Sequence, residues 1–133
     1  MRLPLLAALL FLGASISNAV AEDCAEPEDQ ATMNQCADKA YKAADARLNT
    51  AYQKIVARLD EDARKLLTGA QRAWIAYRDA ECRFQTSNAA EGSIYPAVLS
   101  GCMQSLTQAR LKDLETYLSC QEGDLSCPVP AAR

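Results

Sequence analysis

The sequence predicts an all-α fold, a small antiparallel three-helix bundle stapled by disulfides, and three observations predict it. Apolar residues recur at steps of three and four along nearly the whole chain, the spacing of one buried stripe on a helix. No Asn-Gly or Asp-Gly turn between alternating stretches marks a hairpin. Six cysteines, Cys24, Cys36, Cys82, Cys102, Cys120 and Cys127, form an even set among 133 residues. In an oxidising compartment such a set reads as a structural disulfide framework that supplements a small core.

The chain opens with Arg2, an apolar run from Leu5 to Leu12 and the small-residue site Ala19, Val20, Ala21. That order is a secretory signal peptide over residues 1–21, and its apolar run is short for a membrane span. Ala21, Glu22 and Asp23 do not form the small apolar box that would mark Cys24 for lipid attachment. The expectation is a single exported domain over residues 22–133, periplasmic or secreted, with no membrane span.

Removing 21 of the 133 residues leaves 112, among which 13 basic side chains face 17 acidic ones, a net charge of −4. An acidic domain is ill suited to nucleic acid and suits a basic protein partner.

The first helix is expected to begin near Thr32, where Thr32 and Gln35 have capping-box spacing. Its apolar face runs through Met33, Ala37, Ala40, Tyr41, Ala44, Leu48, Tyr52, Ile55 and Leu59. Asp60, Glu61 and Asp62 mark a second start, because the helix dipole favours negative charge in a first turn. That helix carries Leu66, Leu67, Ala70, Ala73, Trp74, Tyr77, Ala80, Glu81 and Phe84, and ends near residues 86–88. After a loop with Gly92 and Ser93, Pro96 fits the first turn of a third helix, where its missing N–H is harmless. The third helix offers Leu99, Met103, Leu106, Leu114, Tyr117 and Leu118, and the tail after Cys127 is expected to be loose.

Short connections make successive helices antiparallel neighbours, which gathers Cys24, Cys36, Cys82 and Cys102 at one end. Two pairing schemes follow. The favoured local scheme joins Cys24 to Cys36, Cys82 to Cys102 and Cys120 to Cys127; the rival ties Cys36 to Cys82 and Cys24 to Cys102.

The sequence contains no histidine, which removes the commonest general base, the usual nucleophilic triads and most catalytic zinc sites. No Cys-x-x-Cys pair suggests redox chemistry, and the cysteine spacings lack the usual zinc-ligand pairs. Neither a metal nor a cofactor is expected. Asp60, Glu61 and Asp62 read as a solvated helix start rather than as the paired carboxylates of a glycosidase.

The segment from Gln71 to Cys82 is the densest in aromatic and charged residues. Within it, Arg78 and Asp79 read either as a buried polar link to another helix or as a binding edge. Gly92, Ser93 and Tyr95 either turn the chain or present a contact, since a loop tyrosine offers an apolar body with a polar tip.

Met33-Asn34-Gln35-Cys36-Ala37, then Tyr41, Ala44, Asp45, Leu48, Asn49 and Tyr52, then Gln71, Trp74, Tyr77, Arg78, Asp79 and Cys82, then Gly92-Ser93-Ile94-Tyr95, Cys102, Thr107 and Arg110 together resemble the LprI-like family of bacterial exported proteins. The resemblance spans Cys24 to Tyr117 and implies a small helical, disulfide-containing envelope protein of a family named for a lysozyme inhibitor. The founding type is a lipoprotein, whereas this chain lacks the lipid box, and Cys120 with Cys127 reads as an added C-terminal staple.

The leading expectation is therefore a non-enzymatic binding protein that occludes the cleft of a lysozyme-type muramidase. The alternative is a structural or stress-related envelope protein that binds another protein or a cell-wall fragment.

Overall fold

A computed structural model describes residues 24–132; the expected signal peptide lies outside them. Three α-helices account for most of the chain: α1 (Gln30–Val56), α2 (Glu61–Gln85) and α3 (Tyr95–Leu118). A single 3-10 turn, Ser87–Ala89, follows α2, and no strand occurs among the described residues. No helix among them is long and apolar enough to cross a membrane.

Each start has a chemical reason. The α1 N-cap is Asp29, whose carboxylate accepts from the Thr32 backbone N–H at 2.7 Å and from the Thr32 hydroxyl at 3.2 Å. The expected Thr32 box is thus displaced by a better acceptor three residues earlier, and these bonds hold the Asp29 carboxyl below its ordinary range. Asp60 caps α2 through the Ala63 N–H at 2.8 Å, with Glu61 and Asp62 in the first turn. Pro96 stands in the first turn of α3.

The helices run up, down and up, so α1 and α3 are parallel. Their ends are tied in register: Asn34 Nδ2 donates to the Ser93 carbonyl at 3.0 Å at the upper end, and Arg58 Nη1 donates to the Leu118 carbonyl at 3.1 Å at the lower end. This parallel pair, rather than either successive pair, has the closest and most extensive backbone approach. Small residues on the α1 seam, Ala44 and Ala51, alternate with Leu48 and Ile55, and helix separation is set by the side chains at the contact. Helix α2 stands farther off and reaches the pair through long side chains.

The buried core lies toward the lower end: Leu48, Ala51, Ile55 and Leu59 meet Leu111, Leu114, Cys120 and Val129. Val129 is only 4% exposed, so the tail is anchored rather than loose. Cys120–Cys127 folds it back, and Gly123, at φ +86°, occupies the left-handed conformation that this turn requires.

Of the expected α2 stripe only Leu67, Trp74 and Glu81 are partly covered; the face toward the bundle is completed by Ala63, Gln71, Arg78 and Cys82, whereas Leu66, Ala70, Ala73, Tyr77, Ala80 and Phe84 are exposed. A helix laid on one side of a packed pair can bury only one face. Met33, expected on the buried face of α1, is also exposed.

Candidate functional site

The local disulfide scheme is the one formed: Cys24–Cys36, Cys82–Cys102 and Cys120–Cys127 join with Cα separations of 5.6, 5.6 and 5.8 Å. The first two bracket the upper end of the bundle. Cys24–Cys36 pins the N-terminal arm to α1, and Cys82–Cys102 ties the last turns of α2 to the second turn of α3. Between them runs the 90–94 loop, held by backbone bonds from the Gly92 N–H to Ala89 at 2.8 Å and from the Tyr95 N–H to Gly92 at 3.0 Å. Gly92, Ser93 and Ile94 are exposed, and Tyr95 is half-buried at the start of α3. The Asn34 bond to Ser93 fixes this loop against α1.

A polar and aromatic layer sits at mid-height between α1 and α2. Its centre is Arg78, 6% exposed. The Arg78 Nε and Nη2 both donate to Asp79 Oδ1 at 2.9 Å, while Nη1 lies 3.5 Å from Asp45 Oδ1 on α1. The guanidinium carbon stands 5.1 Å from the Trp74 ring centre and 5.5 Å from that of Tyr41, within cation–π range of both. Burial pushes the Tyr41 hydroxyl pKa up; Arg78 opposes this, and Asp45, Asp79 and Asp38 reinforce it. The phenol therefore stays neutral over the ordinary pH range.

A second polar link joins α2 to α3, where Arg110 Nε donates to Gln71 Oε1 at 3.1 Å. Near the same height Thr107 is fully buried, and its hydroxyl has no hydrogen-bond partner. Tyr41, Asp45, Gln71, Trp74, Arg78, Asp79, Thr107 and Arg110 are scattered in sequence, yet they fall into one belt around the bundle.

Of the candidate contact residues, Arg78 lies inside this belt and makes the polar link to α1. Asp79 is partly exposed at its rim, and Gly92, Ser93 and Tyr95 stand at the capped upper end. The five do not form one patch. Reading the residues singly missed Tyr41 and Asp45 as partners of Arg78: Tyr41 and Asp45 lie about three and four turns below the upper end of α1, Arg78 about two turns below the upper end of α2, and its long side chain spans the difference.

No nucleophile is paired with a base in this belt; apart from the Thr107 hydroxyl, its buried polar groups are used on one another. Among the described residues no three His, Cys, Asp or Glu side chains gather to hold a metal ion, and no cysteine is free.

The family described as Lysozyme inhibitor LprI matches this sequence over residues 21–114. The chain belongs to that family. Its match takes in the whole belt, the upper loop and both upper disulfides, and stops short of the Cys120–Cys127 staple. A curated relative, Uncharacterized protein R02472 of Rhizobium meliloti (strain 1021), is 36% identical over 113 residues, which cover 75% of this chain and 81% of the relative. No solved structure matches. The family is one of inhibitor domains rather than enzymes, and its name implies a protein partner, lysozyme.

Proposed function

We propose that this protein is a non-enzymatic inhibitor of a lysozyme-type muramidase, exported to the periplasm or beyond, and that it acts by occluding the enzyme's cleft. The observation that carries the reading is the family match across residues 21–114. Two features support it. The upper end is a rigid projection, with the exposed Gly92 and Ser93 held between two disulfides and the Asn34 bond, and a pre-ordered loop loses little entropy on entering a cleft. The chain from residue 22 onward carries a net charge of −4, which speeds encounter with a basic enzyme.

In this reading Gly92, Ser93 and Tyr95 make the contact, Asp79 offers a partly exposed carboxylate edge at the belt's rim, and Arg78 positions Asp79 from within the belt. Disulfide-intact protein spanning residues 22–133, titrated into a bacterial-cell turbidity assay, slows clearing by lysozyme. Unchanged clearing at micromolar excess overturns the proposal. Ser93→Arg keeps the backbone carbonyl that Asn34 uses but sets a cation toward a basic enzyme. It weakens inhibition about tenfold, the equivalent of about 1.4 kcal/mol at one contact.

A further inference from the structure

One face of α2 is left over by the fold. Leu66, Ala70, Ala73, Tyr77, Ala80 and Phe84 follow one another at steps of four, three, four, three and four, and all six are exposed. Leu66 is 77% exposed, Tyr77 55% and Phe84 76%. At about 1.5 Å per residue the stripe runs for roughly 27 Å. Apolar residues scattered singly on a surface need no explanation, but an unbroken stripe of this length marks an interaction surface.

The order of the stripe is symmetric about the height of residue 75. Reversing the helix places Leu66 level with Phe84, Ala70 with Ala80 and Ala73 with Tyr77. Tyr77 near the centre thus meets the small Ala73, and at each end Leu66 meets Phe84. A surface that complements its own reverse is what a two-fold pair of identical subunits requires, and a chance heterologous partner imposes no such symmetry. The stripe also bears no charge, so nothing in it favours a basic enzyme over a copy of itself.

A groove of about 260 Å³ opens beside Leu66, lined by Leu59, Ala63, Leu67, Tyr117 and Val129 among others. In the reversed register, Phe84 of a second copy arrives at its mouth.

We infer that two copies of this chain pair antiparallel through α2, with Phe84 of each against Leu66 and the groove of the other. The parts of Tyr77 and Phe84 still exposed, on the order of 100 Å² or more each, with Leu66 and the alanines, bring the buried surface to roughly 1,000–1,200 Å² for the pair. That is the lower end of specific interfaces, so the dimer is concentration-dependent, forming in the micromolar range. The pairing leaves the 90–94 loop free and does not depend on the inhibitor reading.

Sedimentation equilibrium on the disulfide-intact chain tests it. The wild type shows a monomer–dimer equilibrium, and Leu66→Lys or Phe84→Glu alone weakens it at least tenfold. Both positions are exposed, so at concentrations where the wild type is monomeric the thermal unfolding of the single variants matches it. The double variant L66K/F84E regains most of the affinity, because the antiparallel register sets the new lysine of one copy opposite the new glutamate of the other, twice. A wild type that stays monomeric at hundreds of micromolar overturns the inference, as does a double variant no better than the singles. Loss of lysozyme inhibition in a single variant, with a monomeric wild type, would instead assign the stripe to the enzyme.

Discussion

The two ends of this bundle are held by different physics. At the lower end Leu48, Ile55, Leu111, Leu114 and Val129 exclude water, and burial does the work. At the upper end few side chains are fully buried, and two disulfides with one cross-helix hydrogen bond keep the helices and the 90–94 loop in place. A small domain can stabilise one end by apolar packing and leave the other thin and polar, provided covalent links supply the order that packing does not. The Arg78 belt divides the two regimes.

The contrast can be broken from either side. Leu114→Ala opens a cavity where no side-chain area is exposed, and the expected cost is about 4 kcal/mol, read as a lower urea midpoint. It leaves the disulfide map unchanged. Replacing the upper cross-link with Cys82→Ala and Cys102→Ala, residues 20 apart in sequence, costs about 3 kcal/mol. If the upper end depends on its cross-links, amide exchange rises there first, around residues 90–94, while Leu48 and Ile55 stay protected. Equal loosening at both ends would show that the two regimes are one.

The belt gives a smaller effect. Arg78→Met keeps much of the stem but removes the cation that faces two rings and two carboxylates, and an expected loss of about 2 kcal/mol follows. A paired Asp45→Asn variant that adds independently to it would remove Asp45 from the link. Thr107→Val acts in the opposite direction. It replaces a buried hydroxyl without a partner by a methyl of similar shape, and a gain of about 1 kcal/mol is expected in the same unfolding measurement. An unchanged or lowered midpoint would mean that the hydroxyl is satisfied in solution.

The sequence made much of this legible. Helical periodicity, the Asp60 start and Pro96 in the first turn of α3 all correspond to the observed elements, because each is a local signal. The helical layout left two cysteine pairings open, and the favoured local one is the one formed. What stayed hidden was non-local. Connection length speaks only of successive helices, so the parallel α1–α3 seam had no signature, and with it went Thr107 and Leu111, which face α1 at the seam's own spacing. On α2 two apolar stripes lie side by side, and periodicity cannot tell the face that the bundle covers from the face that it leaves bare. Among the candidate residues, Arg78 and Asp79 stood out by composition. Their partners Tyr41 and Asp45 lie a full helix away, and only tertiary structure brings them within reach.

The parallel seam also orders events in time. Its partners stand some 60 residues apart, as Arg58 and the Leu118 carbonyl do, and closing so long a loop is a slow, entropically costly step. Until α3 has joined the chain, Leu48 and Ile55 have neither Leu111 nor Leu114 to meet, and α1 with α2 alone has no core to nucleate. The apolar end is complete only when the first and last helices meet, whereas the cross-links at the upper end join residues only 12 and 20 apart, a far shorter loop to close.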